Sequence, residues 1–516
     1  MSKAKLAKAA TLIMVVTFIS KAVGFLRDTL IASSFGATYQ TDAYNMAISI
    51  PEILFAILSL AITTTFIPIL SESYNSRGKE DMFQFFNNIM NLIVIISLIF
   101  SVLGWIFAPQ LVSVIAPKFT GEKYELTVVL VKISILNLVF MSLTAGYTAL
   151  LQTFDDFLAP AFVGIMLNFP IIIYILLGAR GGVVGLTIAT VIGNVLKVVV
   201  QLPWMFKHGY RFKWIINLKD KRVNRIIMLI LPVIVGAGAN QLNAIIDKTI
   251  GSGLPDGSIA ALNFASRITD VVYVTFATAV VTVVYPALSR EGSNKNFDEF
   301  KLYITRAVNN INLIMIPCTA GLIILSIPVV TILFKHGVFD DRAVMMTSTA
   351  LIFFSIGIPF YGVRDVFNRG LYALKDTKTS TINGLIGIGI NIILNFTLVR
   401  FMGLGGLALA TSIAAIVTTF LLLRSLRNRI GGINGREILI TTGKIVLSSI
   451  IMGICVYFIY SIISIRITGF SGVLTGFILS SFAGLVIYAA ELKFLRVNEF
   501  NTVYEKVKKK IMGGRI

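Results

Sequence analysis

Two stretches of twenty residues, 89–108 and 471–490, contain no charged side chain. An α-helix rises about 1.5 Å per residue, so about 20 apolar residues cross the hydrocarbon core of a bilayer. Apolar runs of this kind recur along the 516 residues, near 9–34, 42–70, 85–107, 126–151, 157–178, 182–206, 226–250, 259–288, 304–334, 343–372, 380–399, 404–423, 440–464 and 470–492. They predict an all-α polytopic membrane protein with fourteen transmembrane helices. The connections are short and often closed by glycine, as at Gly178 and Gly403. Composition points the same way: 56% of the chain is hydrophobic, 14% is charged and mean hydropathy is +0.86. A chain so poor in polar side chains cannot cover a water-facing globule, and one so rich in Leu, Ile, Val and Phe is not disordered.

The 45 Lys and Arg outnumber the 25 Asp and Glu, for a net charge of +20. With the N-terminus in the cytoplasm, 28 of the cations fall in cytoplasmic segments and 7 in outer loops. That bias orients the chain with both termini cytoplasmic. The basic tail at 506–510 reads as a stop signal facing anionic lipid, not as a nucleic-acid site. The first span is too long for a signal peptide and lacks a clear cleavage site, so it is expected to remain a helix. Cys318 and Cys455 lie in different spans and define no disulfide or metal framework.

An internal repeat organises these spans. Phe66-Ile67-Pro68-Ile69-Leu70-Ser71 matches Val284-Tyr285-Pro286-Ala287-Leu288-Ser289, and Gly185-Leu186-Thr187-Ile188-Ala189-Thr190 matches Gly406-Leu407-Ala408-Leu409-Ala410-Thr411. The offsets, 218 and 221 residues, agree within one small indel. Six helices per copy is an even number, so two six-helix lobes related by an axis along the membrane normal are expected, with a cavity between them. The expected divisions are 1–206 for the N-lobe, 207–225 for a basic cytoplasmic linker, 226–428 for the C-lobe, 429–492 for two extra C-terminal helices and 493–516 for a basic cytoplasmic tail.

Ten cations remain within spans. Lys132, Lys197, Arg306, Arg369 and Lys444 lie nearer helix ends, where snorkelling to the headgroups accounts for them. Lys21, Arg27, Arg267 and Arg364 lie deeper, and each would cost about 2.5–3.5 kcal/mol at the bilayer centre without a partner. Lys21, Gly24 and Asp28 share one helix face with Arg27 beside it. Asn240, Asn243 and Asp247 form a stripe on span seven, and Asn263, Arg267 and Asp270 another on span eight. Buried ion pairs holding helices together are the structural alternative to a binding role. Arg27, Asp28, Asp42, Asp247, Lys248 and Arg267 fall in the outer half of the membrane, with Lys21 near the middle, and suit an anionic ligand such as a phosphate or pyrophosphate. Enzymatic readings have little support. His208 and His336 are in loops without metal-ligand spacing, no phosphate-cradling glycine loop is present, and Asp155-Asp156 reads as a cap for span five.

The stretches Gly24-Phe25-Leu26-Arg27-Asp28, Phe35-Gly36-Ala37, Thr41-Asp42-Ala43-Tyr44 and Ile50-Pro51, followed by Phe66–Ser71, resemble the N-terminal signature of the MurJ lipid II flippases. These belong to the multidrug/oligosaccharidyl-lipid/polysaccharide exporter superfamily. The resemblance in detail covers about residues 20–72, and in outline the whole chain. It implies a non-enzymatic transporter of the bacterial cell membrane, working by alternating access on a lipid-linked cell-wall precursor. Lys21, Arg27, Asp28, Asp42, Glu52 and Arg267 are the substrate-site candidates, and the last two spans would form a groove for the polyprenyl tail. Some family members bind a sodium ion through an aspartate of the seventh span. Asp247 fits that position, with Asp365 and Thr381 as partners by spacing, so Na+ is a candidate coupling ion. Many relatives read Pro-Asn-x-x-Arg-Arg where this chain has Pro51-Glu52-Ile53-Leu54-Phe55-Ala56. The arginines are absent and Glu52 stands for the asparagine. Export of another lipid-linked oligosaccharide, or cation-coupled antiport of a drug or small solute, therefore stays open beside lipid II. Membrane lipids and cell-wall synthesis enzymes are the other candidate partners.

Overall fold

The computed structural model describes the backbone of residues 3–502 and 504–505, and side chains outside 1–11, 13, 14, 57, 58, 60, 61, 63, 64, 227, 229–237, 239, 240, 503 and 506–516. The Asn240 side chain and the basic tail at 506–516 thus lie outside the described residues. Among those described, eleven helices are long and apolar enough to cross a membrane. Large apolar side chains lie bare along them, as at Trp105, Phe401 and Leu485, 54%, 85% and 65% exposed. Such a surface belongs in lipid, and the chain is an all-helical, multi-pass membrane protein.

The chain divides into two compact units. The first comprises Met1–Ala260 with Gly337–Phe339. Its helices are α1 (Lys3–Phe35), α2 (Tyr39–Ala61), α3 (Ile67–Ile106), α4 (Ala108–Ile115), α5 (Gly121–Ser134), α6 (Asn137–Thr153), α7 (Leu158–Leu176), α8 (Gly182–Val199), α9 (Leu202–Lys207) and α10 (Lys221–Gly251). A π-turn, Ile62–Phe66, joins α2 to α3. Pro68 follows it, and a proline cannot donate to the carbonyl four residues back, so the helix widens there before restarting. Within α3 the backbone leaves helical geometry at Gly78 (φ 85°, ψ 177°). That break, between Arg77 and Lys79, separates the second and third apolar runs. The second unit, Ala261–His336 with Asp340–Ile516, holds most of α11 (Ser258–Ser293), then α12 (Phe297–Ile324), α13 (Ser326–Phe334), α14 (Asp341–Ala373), α15 (Thr377–Met402), α16 (Leu404–Ile430), α17 (Gly435–Arg466) and α18 (Gly469–Phe494).

Lipid tails are as apolar as leucine, so helices in a membrane are held by close packing and polar contacts between them. In the first unit α7 packs on α1 and α8, and α3 on α6; in the second α15 and α14 both pack on α16, and α12 on α14. At Gly193 of α8 a Cβ would stand 2.4 Å from the Leu167 carbonyl oxygen of α7, so only glycine permits the approach. An aromatic core under α3 includes Phe66 stacked on Phe86 (5.7 Å) and Phe86 edge-on to Tyr210 (5.4 Å). In the second unit Phe300, Ile304, Phe367 and Leu426 are buried together.

The repeat seen in the motifs recurs in the backbone. Helix α3 breaks at Phe107 (φ −93°, ψ 19°), whose N–H donates to Leu103, and α12 breaks 218 residues later at Leu325 (φ −99°, ψ 23°), donating to Gly321. Helix α6 ends in a left-handed residue, Asp155 (φ 58°), with Asp156 N–H donating to the Leu151 carbonyl at 2.9 Å. Helix α14 ends the same way 220 residues on, at Lys375 (φ 60°), with Asp376 N–H donating to Leu371 at 2.9 Å. Both are Schellman turns, built here on residues other than glycine. The aspartate that follows meets a nitrogen-bearing side chain in each copy: Asp156 lies 3.1 Å from His208 Nε2, and Asp376 pairs with Arg429 at 2.7 Å. Asp376 also caps α15, accepting from Thr379 N–H. The expected cap of the fifth span by Asp155-Asp156 does not form. Phe157 occupies the cap position without a side-chain bond, because Asp156 is spent on His208.

The expected linker at 207–225 is largely a strap pinned across α3. Asn87 accepts from Tyr210 Oη (2.8 Å) and Lys213 N–H (3.1 Å) and donates to the Arg211 carbonyl (3.1 Å). Asn88 exchanges two bonds with the backbone of Asn217 (2.6 and 2.9 Å), and Asn91 donates to Lys213 and Ile215 (3.0 Å each). Buried asparagines at i, i+1 and i+4 thus supply the partners that a segment without regular secondary structure lacks.

Candidate functional site: a charged cluster on α1, α2 and α8

Arg27 and Asp28 lie in the last third of α1. The Arg27 Nε and Nη2 both donate to Asp28 Oδ1, at 3.0 and 2.7 Å. Only two of the five guanidinium N–H groups are used there, so three keep the planar fork geometry that phosphate oxygens accept. Asp28 thus takes the guanidinium of its chain neighbour, not the Lys21 ammonium one helical face away, and Lys21 is exposed. Gly24 on the same face admits α7: a Cβ there would lie 3.4 Å from Asn168 Nδ2.

Facing Arg27, α2 brings Tyr44 and Glu52, both within electrostatic reach of the guanidinium. Tyr44 is buried and its hydroxyl meets Thr190 Oγ1 of α8 at 3.0 Å. One turn further, Asn194 donates to Asn137 Oδ1 of α6 (3.0 Å) and accepts from Lys197 Nζ (3.0 Å). Lys197 is therefore not snorkelling. It is tied into the unit, and the Glu52 carboxylate acts on it as well as on Arg27. Reasoning from helix ends missed it. The signal was present in the buried stripe Thr187, Thr190 and Asn194, spaced i, i+3, i+7, with Lys197 three residues further on. Two cations, Arg27 and Lys197, thus face two carboxylates, Asp28 and Glu52.

Asp42 stands elsewhere on α2, ten residues or about 15 Å of helix from Glu52. It is fully buried and caps the start of α11, with Oδ2 accepting from Gly257 N–H and Oδ1 from Ala260 N–H, each at 2.8 Å. Lys123 of α5 donates to Asp42 Oδ2 and to Asp256 Oδ1, again at 2.8 Å. Gly257 has φ 86°, and a Cβ there would meet the Ala37 carbonyl at 1.9 Å, so the turn admits no other residue without movement.

In the second unit Arg267 is exposed, with Asp270 in electrostatic reach. Asp270 lies 218 residues after Glu52, the offset of the repeat, so each copy of this helix carries a carboxylate there. Asp365 accepts a hydrogen bond from the Tyr273 hydroxyl, and Tyr361 stands edge-on to Tyr273 with the Arg364 guanidinium 5.4 Å from its ring. Thr381 is exposed and bonds the Thr377 carbonyl of its own helix (3.0 Å), and no hydrogen bond joins it to Asp365. In the first unit Asp247 accepts from Asn243 Nδ2 (3.2 Å), while the buried Asn243 Oδ1 has no partner. No group of three or more His, Cys, Asp or Glu able to hold a metal occurs among the described residues.

A multi-pass helical bundle with charged clusters inside its units is a construction shared by many membrane transporters. The family model described as "Lipid II flippase MurJ" matches residues 31–476, and the chain belongs to that family. A protein of Buchnera aphidicola subsp. Baizongia pistaciae named "Probable lipid II flippase MurJ" is 30% identical over 417 residues, 80% of this chain and 81% of that one. A solved structure titled "Lipid II flippase MurJ, inward closed conformation" superposes with a TM-score of 0.79 at 29% identity, covering 94% of this chain and 99% of the other. An inward-facing multidrug transporter of the MATE family, 16% identical with a TM-score of 0.66 over 82% of this chain and 98% of its own, shares the fold.

Proposed function

We propose that this chain moves lipid II from the cytoplasmic to the outer leaflet of the bacterial cell membrane by alternating access. Membership of the flippase family carries the reading. Within the chain it is supported by the Arg27 guanidinium, held by Asp28 with three N–H groups left for a pyrophosphate. Lys21 and Arg267, both exposed, add cationic donors on α1 and α11, and Asp42 holds the α11 N-terminus that the transport cycle would release. The full organisation is fourteen spans, two six-helix repeats with α17 and α18 appended, and both termini in the cytoplasm. The extra pair would serve the polyprenyl tail, and cell-wall synthesis enzymes are the candidate protein partners.

For coupling, Asp247 is the candidate Na+ ligand. The unpartnered Asn243 Oδ1 one turn before it offers a second oxygen of the kind a hard cation takes. Asp365 and Thr381 are its proposed partners, since a carboxylate that accepts one hydrogen bond and a hydroxyl that donates one both keep lone pairs for a cation. Moving one charge across 100 mV is worth about 2.3 kcal/mol, enough to bias the cycle without ATP.

A second cargo, another polyprenyl-pyrophosphate saccharide, is favoured by one observation. Glu52 neutralises part of the cationic charge where many relatives carry asparagine and arginines. Depletion of the protein, followed by identification of the lipid-linked precursor that accumulates on the cytoplasmic leaflet, separates the two. Accumulation of lipid II supports the first reading, a different saccharide the second, and no accumulated precursor refutes both.

A further inference from the structure

The first three turns of α17 and the segment after α18 line a cavity of about 530 Å3, a size usual for small-molecule sites. Its charged lining is Arg436, Lys444 and Arg496 against a single carboxylate, Glu437. Among the described residues neither Arg436 nor Arg496 has an ion-pair or side-chain hydrogen-bond partner. Lys444 Nζ spends one N–H on the Leu495 carbonyl at 2.8 Å, which aims it and leaves two donors. Helix α17 adds its own positive end, because Asn434 at the cap position makes no side-chain bond to the first-turn amides. Three under-compensated cations and an uncapped helix start therefore converge on one space. Beside it, Leu439 and Phe494 are 74% and 85% exposed, and Ile433 and Ile440 form part of the wall, so the cavity opens next to lipid-facing surface.

We propose that this cavity binds the phosphate diester of an anionic glycerophospholipid, with its acyl chains against Leu439 and Phe494. Arg436 and Arg496 take the phosphate oxygens, the α17 amides face the same charge, and Lys444 closes the inner side. The site lies on α17 and just after α18, apart in sequence from the charged residues assigned to the cargo headgroup and to the coupling ion.

The test is native mass spectrometry of the whole chain released from bilayer nanodiscs containing phosphatidylglycerol and phosphatidylcholine. Phosphatidylglycerol should be retained in preference, and R436Q/R496Q should reduce its retention about tenfold while phosphatidylcholine stays unchanged. E437Q should raise retention, because it removes the one opposing charge, and this result decides the matter if the double variant does not fold. Competition with inorganic phosphate separates the sources. Displacement means that the pocket takes phosphate from either source, and no displacement means that it requires the lipid. Equal retention of both lipids, or no response to either variant, overturns the proposal.

Discussion

Replacing Asp42 with alanine tests the most fully bonded of the sequence-selected residues. The buried carboxylate accepts from two backbone amides and from the partly buried Lys123, all at 2.8 Å. Removing a helix cap costs about 0.5–2 kcal/mol, and stranding one partner of a buried ion pair about 3–5 kcal/mol. Lys123 keeps Asp256 as a partner, but that carboxylate is 59% exposed and compensates only in part. A loss of about 3 kcal/mol is therefore expected, confined to the start of α11. At 1.36 kcal/mol per decade this is a rise of about 150-fold in the exchange rate of the Gly257 and Ala260 amides, if both exchange by opening of this cap. Hydrogen exchange followed by mass spectrometry of the peptide over 257–262 reads it directly. Asp42→Ala combined with Lys123→Met should cost less than Asp42→Ala alone, because the stranded ammonium is gone. A change below about threefold in Asp42→Ala would refute the capping argument.

Lys197→Met leaves Glu52 facing Arg27 alone. It should slow transport in proteoliposomes by about tenfold or more with the fold intact, whereas a headgroup-snorkelling lysine would tolerate the change. Asn91→Leu removes two bonds to the strap and leaves the Lys213 and Ile215 carbonyls unmatched, a cost of about 1–3 kcal/mol. Faster amide exchange over 210–217 with unchanged exchange in α12 is the expected pattern. The hydrogen bond from Arg222 holds the Asp220 carboxyl below the usual carboxylate range, against the opposing effect of burial. The stabilisation is therefore complete above the ordinary aspartate pKa of about 3.9 and is lost as pH falls through the lower folded value. Exchange at the start of α10, corrected for intrinsic rates, should show this dependence below about pH 4, and Asp220→Asn should abolish it.

The membrane class and the all-helical build were readable because they rest on long apolar runs. The family resemblance named Glu52, and helical spacing placed Lys21, Arg27 and Asp28 near one another on α1. What it could not supply was the choice of partner. Lys21 and Arg27 are both within reach of Asp28 by helical geometry, and the short route from the adjacent residue prevails. Lys197 reads as a helix-end cation because the polar stripe on its own helix does not identify the partners across from it, Asn137 of α6 through Asn194, and Glu52 of α2. The strap at 207–225 was hidden for a related reason. Its hydrogen bonds come from three asparagines more than a hundred residues earlier, on a helix that reads as plain membrane span. The Schellman turns at Asp155 and Lys375 escaped notice because no glycine marks them.

The central claim, that Arg27 holds the pyrophosphate of a lipid-linked precursor, is most directly tested by reconstituting the purified chain with lipid II in proteoliposomes. Translocation is then compared between the parent, Arg27→Lys and Arg27→Ala. The account predicts that Arg27→Ala abolishes translocation. It also predicts that Arg27→Lys restores only a small part, because an ammonium keeps the charge without the fork. Translocation by Arg27→Ala at the parental rate would contradict it.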